Sequence, residues 1–139
     1  MTHVRLDVAP HAAHVRVARL VAVSLARLGG VDEDEVEDVR LAVGEACGRA
    51  VTAHLRHGVD APVRLTFTGS HGLVASVVDR VGLPPAHGHE AIDLLLAGAD
   101  AESGDAATLL VLLAGLAERF EVRTGPAGTT IDLGWPTAG

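Results

Sequence analysis

The sequence predicts an α+β domain in which helices cover one face of a β-sheet. The chain has 139 residues, which is the size of one ordinary domain. Helix-like and strand-like patterns are mixed along it, without the regular strand–helix–strand alternation that is typical of a parallel sheet. Hydrophobic residues make up 48% of the chain and charged residues 21%, which argues against disorder. We therefore expect one packed domain over residues 1–139.

The first half of the chain shows one strand pattern followed by two helix patterns. Apolar and polar side chains alternate over residues 3–8, which predicts a short strand. Residues 10–28 carry a loose apolar stripe, and Pro10 and Gly29 stand where a helix begins and ends. Acidic residues from Asp32 onward open a second helix, because carboxylates stabilise a helix N-terminus. The apolar stripe of this second helix comprises Val36, Val39, Val43, Cys47, Ala50 and His54.

The second half of the chain shows two hairpins with a long connection and a helix between them. Each hairpin is predicted by strand patterns on either side of a glycine-containing turn. The expected elements are strands at residues 63–68 and 73–78, a short helix near 90–97, an apolar helix at 108–118, and strands at 119–124 and 129–133. Residues 80–103 are rich in Gly, Pro, His and Ala, and a connection of this length inside a compact domain is typical of a functional loop.

The composition excludes several classes of function. The net charge is -7 and aromatic residues make up only 2% of the chain, so neither a phosphate-backbone surface nor a base-stacking platform is expected. The single cysteine, Cys47, excludes an internal disulfide and a cysteine-based zinc site. No apolar run reaches the 18 or so residues of a membrane span, and the first residues lack a signal-peptide pattern. We expect a cytoplasmic domain that binds neither nucleic acid nor membrane.

The polar face of the second helix carries the residues best suited to chemistry. This face contains Asp38, Leu41, Glu45, Arg49, Thr52 and Arg56. Glu45 and Arg49 lie four residues apart, so one interpretation is a solvated ion pair that contributes about 0.2–0.5 kcal/mol. The other interpretation is that this face lines a site, and the neighbouring motifs favour it.

Three segments resemble the ATP-binding domain of the GHKL (HATPase_c) family, and within it the RsbW and SpoIIAB group of anti-sigma factor serine kinases. The first is the helix over residues 35–51, which contains LAVGEAC where the group has LAVSEAC followed by an asparagine. The others are Val77-Val78-Asp79 and the run RTGPAGTTI at residues 123–131. The resemblance implies a Bergerat fold, which is a two-layer sandwich with a mixed, mostly antiparallel sheet and helices on one face. It also implies an ATP lid at about residues 80–106.

The resemblance assigns roles to residues of this chain. Glu45 matches the catalytic carboxylate, and Asp79 matches the residue that accepts the amino group of adenine. The further nucleotide-binding candidates are Gly82, Gly104, Thr108, Thr129 and Thr130, of which Gly104 and Thr108 stand for a remnant of the phosphate loop. For Thr129 and Thr130 the alternative is a hairpin turn flanked by two β-forming residues.

The ATP motifs are degenerate. The family's magnesium-binding asparagine is replaced by Arg49, whose guanidinium has no lone pair for a cation. Arg49 is expected either to pair with Glu45 or to contact phosphate in place of the metal, as arginine does well. Val81, Leu83, Ala107 and Leu109 stand at positions where the family has glycine. ATP therefore remains the candidate cofactor, weakly bound or lost; Mg²⁺ is doubtful and no metal ligand is predicted.

The function implied by the resemblance is that of an RsbW-like anti-sigma or partner-switching regulator with little kinase activity. Its expected partners are a sigma factor, a STAS-domain anti-anti-sigma protein, and a second copy of the chain paired through the first strand and helix. Arg16 and Arg19, one turn apart on the first helix, are candidate contacts for an acidic partner, with a purely structural role as the alternative. The alternative function is an active serine kinase that phosphorylates the STAS protein, with Glu45 as its base.

Overall fold

The computed structural model describes residues 2–69, 71–98 and 105–138. In chain order the elements are β1 (Thr2–Val8), a 3-10 turn (Ala12–His14), α1 (Val15–Leu28), α2 (Glu33–Arg56), β2 (Val63–Gly69), β3 (Leu73–Asp79), β4 (Ala86–His87), α3 (His89–Gly98), α4 (Asp105–Leu116), β5 (Arg119–Gly125) and β6 (Gly128–Trp135). This order matches the predicted one except for β4.

The six strands form a single sheet in the order β1-β2-β3-β6-β5-β4, and all of the described pairings are antiparallel. The α+β class with helices on one face is confirmed, and the sheet proves to be antiparallel rather than mixed. The pairing of β3 with β6 sets Asp79 opposite Thr129, which brings two candidate site residues to one end of the sheet.

The helical layer is held to the sheet by small and β-branched side chains. The α1–α2 contact involves fully buried alanines from both helices, and these allow the two helices to approach closely. The apolar stripe predicted on α2 is confirmed, because Val36, Val39, Val43, Cys47, Ala50 and His54 are all buried. Burial raises the pKa of the Cys47 thiol to about 11, which is consistent with a packing role for this residue.

Within the described ranges, no helix combines the length and apolarity that a membrane crossing needs.

Two helix starts differ from their predictions. Pro10 is not in the first turn of α1, because His11 is extended and the chain becomes helical only at Ala12, first as a 3-10 turn. α4 begins at Asp105, three residues earlier than expected. The start of α2 is as predicted: Asp32 is the N-cap, and its Oδ1 accepts the Asp34 N–H at 2.9 Å.

The turn between β5 and β6 packs directly on the end of β3. Gly128 has φ +144°, and a Cβ there would overlap the backbone oxygen of Asp79. Glycine at this position is therefore required twice, once by the backbone conformation and once by the close approach. The contact sets where Asp79 lies relative to the turn.

We predict that Gly128→Ala lowers the free energy of unfolding by more than about 3 kcal/mol, because the new methyl group displaces the end of β3. Gly48→Ala is the control, since nothing lies within 4 Å of a Cβ added at this mid-helix position. The control is expected to raise stability by about 0.5–1 kcal/mol. Urea denaturation followed by circular dichroism measures both. Equal effects of the two substitutions would contradict the close approach.

Candidate functional site

A cavity of about 630 Å³ lies between the polar face of α2 and the segment that follows β3. Its volume is within the range of small-molecule sites. Its lining from α2 and the sheet comprises Glu45, Gly48, Arg49, Thr52, Ala53, Arg56, His57, Asp79 and Thr129. Its lining from the remaining segments is largely apolar and comprises Val81, Gly82, Leu83, Leu94, Leu95, Gly98, Ala106, Thr108, Leu109, Leu110 and Leu112. The cavity therefore has a polar floor and a mostly apolar roof.

The helical repeat places the polar floor. Glu45, Arg49, Thr52 and Arg56 recur at intervals of four, three and four residues, so they point to one side of α2. The buried stripe of the same helix points to the sheet. The interpretation of this face as the lining of a site is thus supported by the structure, and that of a fully solvated surface is not.

The central feature of the floor is an ion pair between Arg49 and Asp79. Nη2 of Arg49 donates to Oδ2 of Asp79, and the Val81 N–H donates to Oδ1 of the same carboxylate at 2.8 Å. The Asp79 side chain is 1% exposed and that of Arg49 is 20% exposed. Both oxygens of the carboxylate are therefore engaged by the protein itself. The sequence predicted neither this partner for Arg49 nor this state of Asp79.

The expected ion pair between Glu45 and Arg49 is not formed. Across the described part of the chain, no hydrogen bond or ion pair reaches the Glu45 carboxylate, although Glu45 lines the cavity. Arg49 turns instead toward the end of β3, since the buried carboxylate of Asp79 is a stronger partner than the half-buried carboxylate of Glu45. The Nε of Arg49 is buried without an acceptor among the described residues. The Arg49 guanidinium therefore has N–H donor capacity that the described residues do not use.

His54 holds the segment that leaves Asp79. It is fully buried; its Nδ1 lies 2.8 Å from the Ala61 carbonyl oxygen, and its Nε2 accepts the Arg80 N–H at 2.9 Å. These partners require a neutral imidazole with the proton on Nδ1. The sequence placed His54 only on the apolar stripe. A histidine in such a stripe is the one signal that pointed to a buried polar contact.

The adenine side of the site departs from the expected glycine-rich form. Val81 and Leu83 line the cavity where the resembling family has glycine. Gly82 also lines it, but a Cβ at this residue would lie 2.6 Å from the Pro126 carbonyl oxygen, so its lack of a side chain serves the contact with the β5–β6 turn. Thr129 is buried beside Asp79 as expected. Thr130 is not brought to the cavity, because alternate residues of β6 point to opposite faces of the sheet.

The remaining candidates divide between the cavity and α1. Thr108 and Leu109 line the cavity near the start of α4, whereas Gly104 lies outside the described residues. Arg16 and Arg19 lie on α1 and do not line the cavity. Arg16 is exposed, and the half-buried Arg19 packs across Gly44 of α2, where a Cβ would collide with its side chain. Arg19 therefore contributes to the α1–α2 contact.

The cavity does not fit a magnesium ion at the expected position. Mg²⁺ requires oxygen ligands in octahedral geometry, and Arg49 presents N–H donors and a positive charge there. Of the two carboxylates among the described lining residues, Glu45 and Asp79, the latter is already paired with that arginine. Among residues 2–69, 71–98 and 105–138, no three His, Cys, Asp or Glu side chains form a group able to hold a metal ion.

We predict that Arg49→Met lowers the free energy of unfolding by about 3–5 kcal/mol, because it leaves the buried Asp79 carboxylate without its counter-ion. The double substitution Arg49→Met/Asp79→Asn removes both charges, and we expect it to recover at least half of that loss. Chemical denaturation of the wild type, both single variants and the double variant gives the coupling energy. A coupling below about 0.5 kcal/mol would show that the pair does not stabilise the fold.

Comparison with known proteins places the chain in a family. A family model described as "Histidine kinase-like ATPase domain" matches residues 8–135 of the sequence. A structural match is the crystal structure of the RsbU and RsbW domains of Rv1364c from Mycobacterium tuberculosis, with a TM-score of 0.59 and 16% identity. It covers 99% of this chain, and the chain spans 33% of that one. No curated protein sequence matches the chain. Because the family match extends over most of the chain, the chain belongs to the histidine kinase-like ATPase domain family.

Proposed function

We propose that this domain is an RsbW-like partner-switching regulator that binds a sigma factor, a STAS-domain anti-anti-sigma protein, or both, and transfers phosphate poorly or not at all. The observation that carries the proposal is the Arg49–Asp79 ion pair inside the cavity. It occupies the residue expected to recognise adenine and fills the position expected to bind the metal. A regulator can keep the fold and its binding surfaces without using the nucleotide site for chemistry.

Phosphoryl transfer depends on positioning and charge stabilisation, which a metal ion and phosphate-cradling donors normally supply. In this chain a guanidinium replaces the metal ligand, and Leu109 occupies the roof where a glycine-rich loop is expected. Val81 and Leu83 place side chains on the adenine side of the cavity, where the family has glycine. The metal position, the phosphate loop and the adenine side are all altered. A single substitution therefore does not account for the changes in this site.

The partners are inferred from the family resemblance together with the exposed surface of α1. Val17, Leu20 and Leu28 expose 43%, 62% and 74% of their surfaces, and Arg16 is exposed on the same helix. An exposed apolar helix face with a nearby arginine is suited to a protein partner. We further infer that a second copy pairs through β1 and α1, and that the domain works in the cytoplasm.

The second candidate function is an active serine kinase, and one observation favours it. The Glu45 carboxylate lines the cavity, and no other described residue pairs with it, so it remains able to act as a base. This function would require ATP to bind with Arg49 in place of the metal.

Direct assay of purified sigma factors and STAS-domain proteins from the same genome separates the two functions. For the regulator, we expect complexes with at least one of these proteins by size-exclusion chromatography, and phosphoserine in the STAS protein no higher than with a Glu45→Gln control by mass spectrometry. Phosphoserine that forms with the wild type and disappears with Glu45→Gln would establish the kinase. The absence of any complex across the full set of candidates would contradict the proposed regulator.

A reconstructed ATP site is expected to regain metal-dependent binding. We predict that Arg49→Asn, combined with glycine at positions 81, 83, 107 and 109, raises the affinity for Mg²⁺–ATP at least about tenfold over the wild type, because an amide oxygen can bind the metal. Isothermal titration calorimetry measures the affinity, and the same glycine substitutions on wild-type Arg49 are the control. No gain in the reconstructed chain would count against the assignment of position 49.

A further inference from the structure

The positive charge in this cavity comes from a side chain of the protein and not from a bound metal ion. Arg49 lines the cavity floor and carries a permanent charge at every physiological pH. A guanidinium has five N–H donors, and the structure gives Asp79 as its hydrogen-bond acceptor. The Nε donor is buried without an acceptor among the described residues, which is an unfavourable state for a polar group. The Arg49 side chain would have to turn for this nitrogen to meet a ligand oxygen, whereas its exposed part already borders the cavity.

We propose that the cavity binds a nucleotide-sized organic anion without a divalent metal ion, with Arg49 as its counter-ion. The inference deepens the proposed function, since it rests on the same loss of the metal position. It adds a binding activity: the site takes an anion directly on a guanidinium, whether phosphate- or carboxylate-bearing, because both present the paired oxygens that arginine recognises.

The distribution of charge along α2 sets the direction in which such an anion lies. Glu45 stands on the N-terminal side of Arg49 and repels a negative charge. Thr52, Arg56 and His57 follow on the C-terminal side and also line the cavity. At about 1.5 Å per residue, the row from Arg49 to His57 extends about 12 Å, which is sufficient for a chain of phosphate groups. The anionic group is therefore placed over the second half of α2.

The apolar roof of the cavity indicates the chemistry of the rest of the ligand. Leu94 and Leu95 of α3 and Leu109 and Leu112 of α4 cover the polar floor. An apolar or aromatic body buried against these leucines gains from its removal from water, at about 25 cal/mol per Å² of apolar surface. A bare small anion would leave this half of the cavity unused. The matching ligand therefore has an anionic group and an apolar body.

Asp79 competes with the ligand for Arg49. Its carboxylate holds one edge of the guanidinium and adds a negative charge beside the anion position. Replacing Asp79 by the neutral asparagine should free donors on Arg49 and remove the repulsion. If the anion binds elsewhere, the same substitution leaves its affinity unchanged.

The test is a set of calorimetric titrations with ATP and with tripolyphosphate, each in EDTA and in excess Mg²⁺. Tripolyphosphate has no adenine, so it reports the anion contact apart from any role of Asp79 toward a base. For the wild type we expect ATP to bind in EDTA and to bind at least about tenfold more weakly in excess Mg²⁺, because most ATP then carries a metal ion that Arg49 repels. Asp79→Asn is expected to raise the affinity for tripolyphosphate in EDTA about tenfold.

The decisive comparison is between Asp79→Asn and Arg49→Met/Asp79→Asn, which differ only at residue 49 and leave no buried carboxylate unpaired. We expect the double variant to lose at least the tenfold gain. Arg40→Met is the control on the same helix, since Arg40 pairs with Glu37 on the exposed face. The affinity of this variant for tripolyphosphate should stay within about twofold of that of the wild type. Thermal unfolding of each variant verifies that it is folded.

Three results would overturn the inference: binding that requires Mg²⁺, no binding of ATP in EDTA at millimolar concentration by the folded wild type, and equal tripolyphosphate affinity in the two variants that carry Asp79→Asn. None of these titrations measures complex formation with protein partners or phosphoserine. Failure of the anion site is therefore distinguishable from failure of the proposed regulatory function.

Discussion

The ion pair between Arg49 and Asp79 ties the helical layer to the sheet at the position where the cavity opens. One partner lies in the middle of α2 and the other at the last residue of β3, and the carboxylate is almost completely removed from water. A buried carboxylate is stable only when charge and hydrogen bonds compensate it. Here the compensation comes from a guanidinium and from the Val81 N–H. We propose that the same contact both stabilises the fold and determines what the cavity can bind.

The surroundings of Asp79 show how firmly the chain fixes this carboxylate. Gly128 allows the β5–β6 turn to pack on its backbone oxygen, and His54 accepts the N–H of the next residue, Arg80. Thr129 faces it across the pairing of β3 with β6. A ligand that competes with Asp79 for Arg49 therefore meets a carboxylate whose backbone is held in place by contacts on three sides. The guanidinium is the partner that can turn, because it lies at the end of a flexible side chain.

Much of the fold could be predicted from the sequence because its signals are local. The stripe of α2 repeats every three or four residues, so its periodicity reports burial directly, and each glycine-containing hairpin turn is recognised from a few adjacent residues. β4 was missed because a strand of two residues has no period. The site was predictable only in part: the resemblance pointed to Asp79 and to position 49, but the pair joins residues 30 positions apart, and no local pattern reports such a contact. Thr130 was misplaced because the identity of a motif does not fix which face of the strand each of its residues occupies.

The central claim is that Arg49 keeps a divalent cation out of the cavity, and paramagnetic relaxation tests it most directly. Mn²⁺ takes the same kinds of oxygen ligand as Mg²⁺ and broadens the NMR signals of nearby amides. The measurement is the broadening of backbone amide signals of the ¹⁵N-labelled chain with ATP and low Mn²⁺, against an equal concentration of Mg²⁺. The account predicts no selective broadening at Glu45, Arg49 or Thr52. Selective broadening centred on Glu45 and Arg49 would contradict it, because it would place the metal ion beside the guanidinium.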